Sequence, residues 1–132
     1  MDKKHIAVIG SGNMGTALAQ VITDNKHKVK IWSIEEDVLK EINSRHTNKK
    51  YLPKFKLSKN IKGVFGIREC VKGAEVIILA VPSQVIRKVI RQIKPNLKKN
   101  QLIVSIAKGL EEKTGLTMHE VILSELGKYF PI

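Results

Sequence analysis

Three glycines constrain what this chain can fold into more than any other feature. They stand at the spacing G-x-G-x-x-G in Gly10-Ser11-Gly12-Asn13-Met14-Gly15, between the apolar run His5–Ile9 and the amphipathic stretch 14–25 (MGTALAQVITDN). A buried strand that turns at once into a helix uses each glycine for a different reason. The first makes the tight turn, the second lets a pyrophosphate approach the backbone, and the third lets helix and strand pack closely. The N–H groups that open the helix then face outward at the positive end of its dipole, where an anion is favoured. In this setting the motif implies a dinucleotide-binding unit rather than a glycine-rich turn without a ligand.

The rest of the chain alternates short β-branched runs with helical ones, the pattern of a parallel sheet covered on both faces. A second strand is expected at Lys28–Trp32 and a second helix at 35–44, with acidic residues in its first turn. The polar, lysine-rich stretch 45–62 reads as a long irregular connection. A short strand at 63–65 and a brief helix at 68–71 precede EVIILAV (75–81), a buried strand that stops at Pro82 because proline has no ladder donor. Ser83 is the expected N-cap of a helix running to about Lys94 and ended by Pro95, with Val85, Val89, Ile90 and Ile93 on its inner face. A strand at 102–107, closed by Lys108-Gly109, and a helix at 117–126 complete the pattern. The fold class is therefore α/β: a Rossmann doubly wound, mainly parallel sheet with helices on both faces. A unit of this kind continues with another strand, and Tyr129-Phe130-Pro131-Ile132 stands where it would begin, so the expected sheet is truncated near its last strand.

Composition sets the remaining bounds. At 132 residues and 42% apolar, the chain suits one domain and is too apolar for a basic disordered tail. No apolar run reaches the roughly 18 residues that span a bilayer, and the five after Lys3-Lys4 are too few for a secretory signal. A soluble, cytoplasmic protein is expected. Cys70 is the single cysteine and has no partner for an internal disulfide; it reads as a buried or half-buried thiol. The four histidines lack the spacing of a metal site. The net charge of +12 first suggests nucleic acid, but it is spread along the chain and twenty of the 24 cations are lysine, whereas bidentate reading of bases favours arginine. Nucleic acid is therefore set aside in favour of a lysine-rich surface and a small anionic ligand.

At the end of the second strand, an acid commonly binds the adenosine 2′-hydroxyl of NAD, and a base the 2′-phosphate of NADP. Here the residues are Trp32-Ser33-Ile34-Glu35-Glu36-Asp37. Ser33 occupies the usual acid position, and Glu35 or Glu36 close behind leans the site towards NAD. The same acids equally account for themselves as stabilisers of the second helix. Trp32, at a strand end, reads as core packing.

Several segments together resemble the NAD(P)-dependent glycerol-3-phosphate dehydrogenases. They are IAVIGSGNMGTALA, the KIW of the second strand, NKKYLP, IILAVPSQV, RQIKP and IAKGLEEKTG. The glycine loop alone would suit other dehydrogenases; VPSQV and AKGLE at this separation make the likeness specific. The resemblance runs from about Lys4 to the last residue, which is well under half of a typical member. It implies reduction of dihydroxyacetone phosphate to sn-glycerol 3-phosphate with NADH or NADPH, for glycerophospholipid synthesis. It places Gly10, Ser11, Gly12, Asn13, Met14 and Gly15 at the pyrophosphate, Ile34 at the adenosine end, and Tyr51 and Val85 near the cofactor. Lys108 matches a lysine that touches both cofactor and substrate. Asn13-Met14 departs from the serine and aromatic pair common at those two positions. It also implies that residues 1–132 form the cofactor domain, that a helical substrate domain bearing the main acid/base lysine follows, and that the full-length protein is compatible with a homodimer. The fragment alone is then expected to bind cofactor and turn over slowly, if at all.

Lys108 has a physical argument of its own. At the carboxyl end of a strand it projects from the edge where open α/β sheets bind ligands, and there an ammonium group stabilises a phosphate or a developing alkoxide. Two other readings suit the glycine loop: a different Rossmann reductase, of the pyrroline-5-carboxylate or ketopantoate type, or a non-catalytic nucleotide-sensing module.

Overall fold

A computed structural model describes residues 2–128 and 130–132; Tyr129, in the C-terminal segment singled out above, lies outside them. The main elements are β1 (His5–Ile9), α1 (Asn13–Asp24), β2 (Lys28–Trp32), α2 (Glu36–Arg45), β3 (Thr47–Asn48), β4 (Leu52–Lys56), β5 (Ile61–Gly63), α3 (Ile67–Val71), β6 (Val76–Leu79), α4 (Ile86–Ile93), β7 (Leu102–Ser105) and α5 (Met118–Leu126). Five strands form one parallel sheet in the order β5-β2-β1-β6-β7. The chain leaves β1 for β2 on one side and later returns to β6 on the other. That reversal opens a crevice at the carboxyl ends of β1 and β6, where ligands of such sheets bind.

The period of two along β1 assigns its side chains to two cores. Ala7 and Ile9 face α3, α4 and α5, with Ile77, Leu79, Ile86, Ile90, Ile93 and Ile122 around them. Ile6 and Val8 face α1 and α2, with Ala19, Val29, Ile31, Leu39 and Ile42. Both faces of the central strand are thus dry, which explains its lack of polar alternation. Ile90 is fully buried on α4. Ile90→Ala is expected to lower unfolding free energy by about 2–5 kcal/mol in urea titrations. Val21→Ala, at a position 55% exposed, should stay within about 0.5 kcal/mol of wild type.

Some sequence expectations need correction. The stretch 45–62 is not irregular: β3 and β4 form an antiparallel hairpin, and the edge strand β5 occupies 61–63 rather than 63–65. Ser83 does not cap a helix, because Ser83–Val85 is a 3-10 turn without a side-chain cap and α4 starts at Ile86. The inner position given to Val85 belongs to Ile86, which is fully buried while Val85 is 37% exposed. Strands β6 and β7 each stop two residues early, at Leu79 and Ser105. At the outer edge of β7, Ile103 N–H donates to Pro131 O at 2.9 Å, and Phe130 and Ile132 pack on the first core. No helix among the described residues is long and apolar enough to cross a membrane.

Candidate dinucleotide site

The carboxyl ends of the central strands are stitched together by three bonds. Gly10 N–H donates to Trp32 O at 2.8 Å, Ala80 N–H to Ile9 O at 2.8 Å, and Ile106 N–H to Leu79 O at 3.1 Å. Above this edge lies a cleft of about 780 Å³. Its floor and walls come from five places: Gly10, Ser11, Gly12 and Met14; Trp32 to Glu35; Ala80 to Pro82 with Val85; Lys88, Val89 and Gln92; and Ile106 with Ala107. Tyr51 reaches in from the hairpin.

The glycine loop satisfies three separate steric demands. Gly10 has φ +119°, and a Cβ there would lie 2.4 Å from Ala80 O. A Cβ on Gly15 would lie 2.2 Å from Gly10 O. Real Cβ atoms do not approach backbone oxygen so closely, so these two glycines let β1, β6 and α1 meet. Gly12 differs: a Cβ there meets nothing within 4 Å. Its absent side chain leaves free space at the edge of the cleft, as a bound pyrophosphate requires. Helix α1 starts at this point with no side-chain cap and no acid in its first turn. By contrast, α2 has Glu36 and Asp37 in its first turn, and α5 is closed by a Thr117/Glu120 capping box. The N–H groups that open α1 are donors of the kind an external anion can bind.

Across the cleft, Glu35 Oε1 accepts from Tyr51 Oη at 2.7 Å and Lys50 Nζ at 3.0 Å. The tyrosine hydroxyl and then the lysine hold its carboxyl below the usual range; the same contacts raise Lys50 and Tyr51. Glu35 Oε2 is shielded and has no hydrogen-bond partner among the described residues. The lean towards NAD weakens accordingly, since the acid on which it rests is charge-matched by Lys50. Ser33 is buried and uses its hydroxyl to accept from Glu35 N–H at 3.0 Å. Ile34 is 82% exposed at the rim.

Seven of the expected site residues border one cleft: Gly10, Ser11, Gly12, Met14, Ile34, Tyr51 and Val85. Asn13, exposed, and Gly15, buried, belong to the first turn of α1, and Lys108 is exposed immediately beyond Ala107. Trp32 was expected only in the core. It packs partly there, donates from Nε1 to Phe65 O at 3.1 Å, and also lines the cleft. Reading along the sequence also missed Lys88 and Gln92, which project from α4 to the cleft wall. Their i, i+4 spacing beside the inner-face residues was the available signal. Cys70 is buried, and desolvation pushes its thiol up to about 12, which leaves it inert.

A doubly wound sheet with a glycine loop at its switch point and an uncapped helix start defines a dinucleotide-binding domain. The family model described as NAD-dependent glycerol-3-phosphate dehydrogenase N-terminus matches residues 5–132, and the chain belongs to that family. It is 43% identical over 123 residues to a glycerol-3-phosphate dehydrogenase [NAD(P)+] of Bacillus subtilis (strain 168), covering 93% of this chain and 36% of the relative. A crystal structure of glycerol-3-phosphate dehydrogenase from Coxiella burnetii superposes with TM-score 0.89 at 33% identity, over 96% of this chain and 38% of that one. The chain thus spans little more than a third of the relatives it matches. A pyrroline carboxylate reductase from Plasmodium falciparum shares the fold at TM-score 0.60 and 21% identity, covering 92% of this chain and 39% of that one. The fold is thus common to both reductases, while the family match favours the glycerol-3-phosphate dehydrogenases over that alternative.

Proposed function

We propose that this chain is the cofactor-binding part of an oxidoreductase that interconverts dihydroxyacetone phosphate and sn-glycerol 3-phosphate with NAD(P)H, supplying glycerophospholipid synthesis in the cytoplasm. The observation that carries the proposal is the open space at Gly12, facing the cleft beside an uncapped helix start. Residues 1–132 act as the NAD(P)-binding domain, and a helical substrate domain belongs to the longer family member. Bound NAD(P)H supplies the hydride. The loop Gly10–Gly15, with Asn13 and Met14 at its variable positions, binds the diphosphate through backbone N–H groups. Ile34 covers the adenosine end, Tyr51 lies along the same side, and Val85 walls the nicotinamide end with Pro82. Lys108, at the open edge of the cleft, meets the cofactor and the phosphorylated substrate, where its ammonium group stabilises negative charge.

Trp32 is the single tryptophan and lines the cleft, so it reports occupancy directly. Titration with NADH is expected to quench its emission saturably. Because Lys50 neutralises Glu35 at the adenosine end, NADPH is expected to bind within about tenfold of NADH, a margin of about 1.4 kcal/mol. Absence of saturable quenching at millimolar NADH would sink the dinucleotide reading. A larger preference for either cofactor would show that charge matching at Glu35 does not govern selection.

A further inference from the structure

We infer that Asn48 is a positioning residue for the diphosphate-binding loop, an inference that rests on the dinucleotide reading above. Asn48 ends the two-residue strand β3 and is 1% exposed. The chain reaches it through His46, which closes α2 in the left-handed region with φ 57° and redirects the backbone inward. A buried amide must satisfy its polar atoms. Asn48 Nδ2 donates to Ser11 O and to Thr16 Oγ1, each at 2.9 Å, while Oδ1 accepts from Tyr51 N–H at 3.3 Å. Thr16 Oγ1 in turn donates to Ser11 O at 3.0 Å. The carbonyl of Ser11, inside the glycine loop, therefore receives two donors from behind.

Closing the hairpin would need only the Oδ1 contact. The two Nδ2 bonds go elsewhere, across 37 and 32 residues, to the loop and to the first turn of α1. Their effect follows from peptide geometry. In a trans peptide, the carbonyl and the next N–H point in opposite directions, and there is no cis bond among the described residues. Holding the Ser11 carbonyl inward turns the Gly12 N–H outward. Gly12 borders the cleft, and its missing side chain leaves the approach open. Asn48 thereby presets a donor that a flexible loop would have to orient on binding, a cost that preorganisation removes.

The test compares Asn48→Ala with wild type for binding of NADH and of adenosine, which lacks the diphosphate, using calorimetry or NMR shifts, with a thermal melt of each protein. A positioning role predicts NADH affinity reduced about tenfold, the scale of one lost preorganising contact, with adenosine affinity within about twofold. Thr16→Val removes the other donor to Ser11 O at nearly constant volume. It should give the same selective loss, smaller in size, and it carries the test if Asn48→Ala does not melt cooperatively. Unchanged NADH affinity in the variants would overturn the inference while leaving the dinucleotide reading intact. So would equal losses for NADH and adenosine, which would mark a purely structural residue. Failure of the wild-type chain to bind NADH would overturn both.

Discussion

Gly15→Ala is expected to abolish NADH binding and to destabilise the fold. Its Cβ would sit 2.2 Å from Gly10 O and 3.1 Å from the same residue's carbonyl carbon, both backbone atoms of the turn that follows β1. A side chain tip can rotate away from a clash, but this backbone cannot. Gly10 N–H is bonded to Trp32 O, and Gly10 itself is already at φ +119° against Ala80. Helix α1 must therefore retreat from the sheet, opening the apolar cluster that Ala19 shares with Val8 and Ile31. Overpacking of this kind costs about 1–3 kcal/mol where a core can adjust, and more where it cannot. A melting temperature lowered by several degrees and no quenching of Trp32 by NADH are the expected readouts. Gly12→Ala is the control. With nothing within 4 Å of its Cβ, it should fold like wild type and lose affinity only because the methyl occupies the approach to the loop. Normal NADH binding by Gly15→Ala would show that close helix–strand packing is not what the third glycine provides.

The second large effect concerns the loop that carries Lys108. Arg87 on α4 grips Glu111 with both ends of its guanidinium, Nη2 to Oε1 at 2.8 Å and Nε to Oε2 at 2.9 Å. Its Nη1 also reaches Glu125 Oε1 on α5 at 2.6 Å, where Arg91 joins at 2.9 Å. Glu111 further accepts from Thr114 Oγ1 at 2.7 Å, and Gln84 ties down the neighbouring residues through Leu110 O and Glu112 N–H. Arg87, and then Thr114, pull the Glu111 carboxyl down to about 2 from the ordinary 4.5. A depressed acid stabilises the folded state fully above its unfolded value and loses that contribution as pH falls through its folded one. The contribution of Glu111 should therefore be complete above pH 4.5 and fade towards pH 2.

Arg87→Gln is expected to lower the melting temperature at neutral pH and to speed exchange of the Glu111 and Gly115 amides about tenfold by local opening. Both amides are bonded within this loop, to Leu116 O and Glu111 O respectively. The gap between wild type and variant should close as pH is lowered from 4.5 to 2. A gap that persists undiminished at pH 2 would show that the carboxylate of Glu111 is not what Arg87 stabilises.

The strand and helix order was legible because it depends on neighbours close in sequence. HIAVI and EVIILAV are apolar after their first residue, and α4 repeats isoleucine and valine at helical spacing. The glycine loop was legible for the same reason, since its three demands arise within six residues. The hairpin at 47–56 was not. Strand β3 has two polar residues, β4 is largely exposed, and neither buries a periodic face. What makes them strands is their pairing with each other, Thr47 with Lys56 and Asn48 with Leu52, and the hairpin is anchored by the Asn48 amide, which finds Ser11 and Thr16 more than thirty residues away.

The same distinction separates the residues of the site. Local pattern brought Gly10 to Gly15 together by itself, and the +12 charge contributed no location because it is dispersed. Tertiary structure placed Tyr51 and Lys50 on Glu35, turned Trp32 towards the cleft, and exchanged Val85 for Ile86 in the core through a single 3-10 turn. The sequence alone determined a doubly wound sheet and the glycine turn at its switch point, because steric demands at a turn and the periods of two and 3.6 are local properties. Only the folded chain decided which side chains surround that point and what neutralises them, because hydrogen bonds and ion pairs between distant segments exist once the sheet has brought their ends together.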